Sequence, residues 1–226
     1  MYNPDISSWP VTIGGLGRIG SAFLLNMPNT GMHITLYDDD VVEEENLLVQ
    51  RLYRSCDIGK KKAEAAYEIL TEYHGFPKES LTVYTEKITA ATHLDGIIIS
   101  GVDSMKSRAE IWEALWKNIA FIPLYLDGRL GKEVCELHVV QPPSLGAREW
   151  YERSLFPDAE GVDNPCSRED TIYPALGLAA MMFSRITRLI HNELPQYERL
   201  EFDYRSTLFH AWSHEERNTE TSEERR

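Results

Sequence analysis

Apolar runs of strand length alternate with helically spaced apolar positions from Val11 onward. Residues 11–13 predict a first strand, followed by a glycine turn and an apolar helix around Ala22, Phe23, Leu24 and Leu25. The turn N-M-P-N-T-G, with Pro28 as the stop, ends that helix. Residues 32–37 predict a second strand ending in Asp38, and residues 39–51 are too polar for a strand and too acidic for a core helix. Asp57 is expected to cap a helix over 58–73 with Ala63, Ala66, Ile69 and Leu70 on its buried face. Residues 81–84 predict a third strand. Residues 96–100, G-I-I-I-S, predict a fourth that is apolar on both faces, as in the middle of a parallel sheet. Ser104 is placed to cap a further helix carrying Ala109, Trp112, Leu115 and Trp116. A fifth strand over 120–126, broken by Asp127-Gly128, and an alternating sixth over 134–140 complete the pattern.

Strands alternating with helices define an α/β class, a Rossmann-like doubly wound, mostly parallel sheet. Beyond Pro142-Pro143 the pattern changes to a short helix over 147–155 and a polar loop over 156–170 with Cys166. An apolar helix over 173–191 and an antiparallel pair over 200–204 and 208–212 follow. Residues 1–142 are read as a nucleotide-binding half and 143–212 as its completion. Residues 213–226 are read as a disordered polar tail.

Composition narrows the function. The chain has 226 residues and a net charge of -13, so it offers no basic excess for nucleic acid. Three widely spaced cysteines, Cys56, Cys135 and Cys166, form no disulfide framework and no zinc pair. With no signal-peptide pattern and no membrane-length apolar run, a cytoplasmic location is expected.

The chemistry centres on Gly15-x-Gly17-x-x-Gly20 between strand and helix. Glycines there let the backbone approach a phosphate at a helix N-terminus, and Asp38 after the second strand supplies a carboxylate for ribose hydroxyls. Other features admit plainer readings. Lys60, Lys61 and Lys62 form either a phosphate contact or a solvated turn, with at most one facing a site. Cys166 is either a nucleophile or a structural cysteine, whereas Cys56 and Cys135 read as structural. Glu43, Glu44 and Glu45 read as an exposed acidic face, Met181-Met182-Phe183 as core, and His210 and His214 as surface residues. No GxSxG or HExxH motif is present.

Three motifs in register resemble the ThiF/MoeB/ubiquitin-activating family, which adenylates the C-terminal carboxylate of ubiquitin-like proteins. They are Gly15-Leu-Gly17-Arg18-Ile-Gly20-Ser21 against GxGGxGS, the block from Asp38 to Gln50 against DxDxVxxxNLxRQ, and Asp57-Ile-Gly59-Lys60-Lys61-Lys62-Ala63 against D-I-G-x-x-K-A. Asp103 with Arg108, Gly128 with Gly131, Cys166 and the closing L-E-F-D also fall in family order. The resemblance implies ATP and Mg²⁺ as cofactors. It assigns the ribose to Asp38, the pocket lining to Asp40, Asn46 and Gln50, phosphate contact to Lys62, Mg²⁺ to Asp103, and loop support to Arg108. It further implies a ubiquitin-like or sulfur-carrier protein as partner and a homodimer.

Two positions depart from the family. Val49 stands where the family has the arginine of its RQ pair, so either Arg51 reaches the same space or the site is weakened. Arg18 replaces a glycine and either clashes with a nucleotide or donates to one. Two other functions remain open: an NAD-dependent oxidoreductase, whose glycine loop often reads G-L-G-R-I-G, and a non-catalytic scaffold of the same fold.

Overall fold

The computed structural model describes residues 9–27, 31–142, 145–157, 172–193 and 198–213. Cys166 and the tail after residue 213 lie outside the described residues, as does most of the 156–170 loop. The strands are β1 (Val11–Gly14), β2 (Ile34–Tyr37), β3 (Leu81–Tyr84), β4 (Ile97–Ser100), β5 (Leu124–Leu130), β6 (Val134–Val140), β7 (Arg199–Asp203) and β8 (Leu208–Trp212). The helices are α1 (Arg18–Asn26), α2 (Lys62–Glu72), α3 (Met105–Lys117), α4 (Leu145–Glu152) and α5 (Ile172–Ile190). All eight strands join one sheet in the order β3-β2-β1-β4-β5-β6-β7-β8. β1 to β5 pair in parallel, and β6, β7 and β8 continue the sheet antiparallel. The expected α/β class, a doubly wound and mostly parallel sheet closed by antiparallel strands, is the observed one.

The sheet separates two apolar layers. Ile13, Leu36, Ile99 and Leu126 face Phe23 of α1, Ala66 of α2 and Met182 of α5. Tyr37, Ile98 and Tyr125 face the other way, onto Trp112 of α3 and Tyr151 of α4. Because both faces are covered, β4 is buried at every residue, which accounts for its unbroken apolar run.

Two expectations need correction. The fifth strand neither begins at residue 120, where a short 3-10 turn over Ile119–Phe121 stands, nor stops at Leu126. It runs from Leu124 through Asp127-Gly128 to Leu130, because β6 pairs with it from Tyr125 to Leu130, with Asp127 opposite His138 and Gly128 opposite Leu137. Gly128 belongs in this strand on packing grounds: a Cβ there would lie 2.5 Å from the Met182 side chain. The second helix does not begin at Ile58, and Asp57 does not cap it. α2 starts at Lys62, after Gly59 at φ 88°, and its N-cap, Lys61, makes no side-chain capping bond.

β1 has β2 on one side and β4 on the other, with Gly14 opposite both Tyr37 and Ser100. The three strands therefore end level. The chain winds outward from β1 in one direction through β2 and β3, and from β4 in the other through β5. The carboxyl ends of β1 and β4 form the switch point at which open α/β sheets hold ligands.

Candidate active site

The glycine loop leaves β1 at this switch point. Gly15 adopts φ 87°, which favours glycine, and Gly20 lies so close beneath the loop that a Cβ would sit 2.1 Å from the Gly15 carbonyl oxygen. Among the described residues nothing lies within 4 Å of where a Cβ on Gly17 would be, so they leave the loop open above that residue. Gly17 is also the N-cap of α1 and offers no capping side chain. The first N–H groups of α1 are thus available to an anion at the positive end of the helix. Gly20→Ala is expected to destabilise the protein by about 1–3 kcal/mol through this backbone clash, read as a lower urea midpoint. Alanine elsewhere inside a helix stabilises relative to glycine, so unchanged or higher stability would contradict the packing described.

Asp38 pins the loop from β2. Its Oδ2 accepts the Leu16 N–H at 2.6 Å and its Oδ1 accepts the Asp40 N–H at 2.9 Å. Burial pushes its carboxyl pKa up from the ordinary value, with the Leu16 bond and Lys62 pulling it back. Tyr53 completes the clamp by donating its hydroxyl to the Leu16 carbonyl at 2.8 Å, so both ends of this residue are tied. Burial first, then Asp38, Asp40 and Asp57, push the Tyr53 pKa well up, and it stays protonated as a donor. Sequence reasoning missed Tyr53, since no spacing signal distinguishes it from a core aromatic.

The D-I-G-K-K-K segment reaches the site by pairing with the segment after Asp38. Gly59 donates to the Val42 carbonyl and Val42 to the Lys60 carbonyl, both at 2.8 Å, and Lys62 N–H donates to the Asp40 carbonyl at 3.0 Å. This ladder carries the buried Lys62 side chain to Asp40, with Nζ 2.9 Å from Oδ2. Lys61 Nζ donates to the Asp39 carbonyl, whereas Lys60 turns away to Asp57 and Glu68. Lys61 and Lys62 therefore meet the acidic segment, and Lys62 alone of the three is buried.

Asp57 anchors the ladder. It accepts a two-pronged pair from Arg54, Nε at 2.8 Å and Nη2 at 2.9 Å, and a bond from Lys60 at 3.2 Å. The Arg54 hydrogen bonds hold its pKa down at about 2, below the ordinary 3.8. As pH falls the unfolded chain takes up this proton before the folded one. The stabilisation is therefore complete above roughly pH 4 and is lost as pH falls through the folded value. Asp57→Asn is expected to flatten this acid limb in urea unfolding between pH 7 and pH 3. An unchanged slope would place the acid sensitivity elsewhere.

Asn46 is buried. Its side-chain oxygen accepts the Glu43 N–H at 3.0 Å and its carbonyl accepts the Gln50 N–H at 2.7 Å. Gln50 is 2 % exposed, and its Oε1 has no partner among the described residues. Val49 is equally buried at 2 %, whereas Arg51 is exposed. Glu43, Glu44 and Glu45 are exposed, as expected.

On the other side of the switch point, Asp103 is exposed in the loop after β4, next to Ser104, whose Oγ caps α3 by accepting the Ser107 N–H at 3.1 Å. Arg108 turns inward, donating Nε to Asp127 Oδ1 and Nη2 to the Gly128 carbonyl, both at 3.0 Å. Asp127 also accepts from Arg129 Nε at 2.9 Å and from the Tyr151 hydroxyl at 3.0 Å. Burial alone would raise the Asp127 pKa, but Arg108 and Arg129 outweigh it and hold it low. Among the described residues, a three-carboxylate cluster falls at Asp38, Asp39 and Asp40 and does not include Asp103.

The remaining expectations sort simply. Cys135 is buried, and burial pushes its thiol up to about 11. Cys56 is exposed rather than packed. Met182 is core, and His210 lies on β8 beside Trp212, their rings 5.5 Å apart. No helix among the described residues is long and apolar enough to cross a membrane.

A doubly wound sheet with a glycine loop at its switch point and antiparallel closing strands is a Rossmann-like α/β protein. The chain belongs to the ThiF family, which it matches over residues 4–224. It is 27 % identical over 213 residues to the sulfur carrier protein ThiS adenylyltransferase of Escherichia coli K12, covering 89 % of this chain and 80 % of that protein. A shorter match, 36 % over 77 residues, links it to the adenylyltransferase and sulfurtransferase uba4 of Neosartorya fischeri, covering 34 % of this chain and 16 % of that protein. Among solved structures, E. coli MccB with ATP has the same fold at a TM-score of 0.66 and 17 % identity, over 92 % of this chain and 64 % of that one. PaaA matches at 0.67 and 16 %, over 92 % and 73 %.

Proposed function

We propose that the protein is an ATP-dependent adenylyltransferase that activates the C-terminal carboxylate of a ubiquitin-like or sulfur-carrier protein. The observation that carries this reading is the ladder between the segments after Asp38 and Asp57, which sets Lys62 beside Asp40 next to the glycine loop. The adenylyltransferase relatives and the fold shared with ATP-bound MccB support it.

In this reading the open backbone above Gly17 and the start of α1 receive the phosphates, and Asp38 accepts from the ribose with the lone pairs its backbone bonds leave free. Asn46 and Gln50 line the pocket. Attack by the carrier carboxylate on the α-phosphorus breaks the bond to the β-phosphate, and pyrophosphate leaves with the electron pair as the acyl-adenylate forms. Two anions approach each other in that step, so positive charge at the phosphates lowers the barrier. Lys62 supplies one such charge.

Asp103 fits a Mg²⁺ site in character, since magnesium is typically held by one or two carboxylates together with substrate phosphates and water. Such an ion would neutralise phosphate charge. Arg108 positions this loop by fastening α3 to β5. Cys166 lies outside the described residues. A homodimer and a cytoplasmic location belong to the same proposal. The exposed Tyr173 and Leu176 on α5 suit a subunit contact.

Exchange of labelled pyrophosphate into ATP tests the reading, with ThiS as the first carrier tried. Carrier-dependent exchange is the expected result. Absence of exchange with every sulfur-carrier and ubiquitin-like protein tried would overturn it.

A further inference from the structure

We propose that Arg18 is the cation that grips the β- and γ-phosphates of ATP, taking over from the arginine that Val49 replaces. This inference rests on the adenylation reading. Position 49 is closed to the role: its side chain is apolar and buried. Arg51, the nearest alternative, is exposed.

Arg18 is the first residue of α1, directly after Gly17. A cation is out of place there, because the helix N-terminus carries partial positive charge and the first turn of α1 has no acidic residue to balance it. Its Nη1 is buried and has no hydrogen-bond partner among the described residues. A guanidinium donor removed from water without an acceptor is costly.

Arg108 and Arg129 share Asp127, and Arg199 pairs with Glu136 and Glu201 through its Nη2, although its Nε is buried without a partner among the described residues. Arg185 also has a nitrogen without a partner, but it lies in the C-terminal half of α5, well along that helix from its N-terminus.

A second observation points to a ligand at the same place. Gln50, next to Val49, is almost fully buried, and its Oε1 has no partner among the described residues. Its segment is tied to the glycine loop, since Tyr53 N–H donates to the Gln50 carbonyl and the Tyr53 hydroxyl to the Leu16 carbonyl. The residue after Gly17 and a residue on the segment tied to the loop thus each carry a buried polar atom, a donor and an acceptor, without a partner among the described residues. A polyphosphate nucleotide satisfies both: its anionic oxygens accept from the guanidinium fork, and its base or ribose offers donors to an amide oxygen. Arginine at this position turns the neutral glycine of the family loop into a charged phosphate ligand.

The test is calorimetric titration of the full chain with AMP and with ATP, both with Mg²⁺, for the wild type, Arg18→Gly and Arg18→Lys. Thermal unfolding of each variant checks the fold. Arg18→Gly is expected to lose about 10- to 100-fold in ATP affinity, the range for a hydrogen bond to a charged group, while AMP affinity stays within about twofold. Arg18→Lys is expected to fall between the two, since it keeps the charge and loses the fork. Unchanged ATP affinity in Arg18→Gly overturns the assignment, as does an equal loss for AMP and ATP. Wild-type protein that binds no ATP overturns the adenylation reading and this inference together. The wild-type titration alone identifies that case.

Discussion

Replacing Asp127 with alanine is expected to cost about 3–5 kcal/mol of folding stability, the range for breaking a buried ion pair by removing one partner. Asp127 is fully buried and accepts from Arg108, Arg129 and Tyr151. Removing the carboxylate takes the balancing charge from two guanidinium groups whose side chains are 5 % and 13 % exposed, leaving Arg108 the Gly128 carbonyl and Arg129 its bonds to Ser154 and its pairing with Glu136. Among the described residues the Tyr151 hydroxyl then keeps its bond to Tyr125, at 2.9 Å. Urea unfolding at pH 7 reads the loss as a lower midpoint. A change below about 1 kcal/mol would mean that the two arginines find water or other acceptors. Because Arg108 fastens the start of α3, which follows Asp103, the variant is also expected to weaken nucleotide binding.

Lys62→Met separates chemistry from stability. Methionine keeps most of the buried stem and removes the charge. The partner left behind, Asp40, has a side chain 60 % exposed and can turn to water. Stability is therefore expected to change by less than about 1 kcal/mol, as for exposed ion pairs. Pyrophosphate exchange is expected to fall about 10²–10³-fold, the cost of deleting one preorganised charge or donor at a developing anion. A variant that retains wild-type exchange would remove Lys62 from the phosphates and reduce the ladder to a structural feature.

What the sequence showed, and what it hid, follows from where the determining partners lie. The first four strands and the apolar α5 were legible because burial on a sheet face or helix face writes itself into local periodicity. The capping of α3 by Ser104 was legible for the same local reason. The fifth strand was misjudged because Asp127 and Gly128 read as breakers in isolation. Arg108, Tyr151 and Met182, which help make them suitable, come from distant parts of the chain. The start of α2 was misplaced because residues 59–62 bond to residues 40–42, a tertiary pairing that overrides the capping signal of Asp57.

The site shows the same division. Gly15, Gly17, Gly20 and Asp38 announced themselves by spacing, and the lysine run by its motif. Tyr53 did not, because its role is a single long-range bond to Leu16. The two departures from the family motifs look different with the fold in hand. Val49 is packed inside, and Arg18, the first residue of α1, has a buried Nη1 with no partner among the described residues.

Separate calorimetric titrations of the full chain with Mg-ATP and with NAD test most directly whether the carboxyl ends of β1 and β4 hold ATP. Saturable heat with Mg-ATP and none with NAD is the expected result. Binding of NAD without binding of ATP would contradict it and assign the glycine loop to an oxidoreductase.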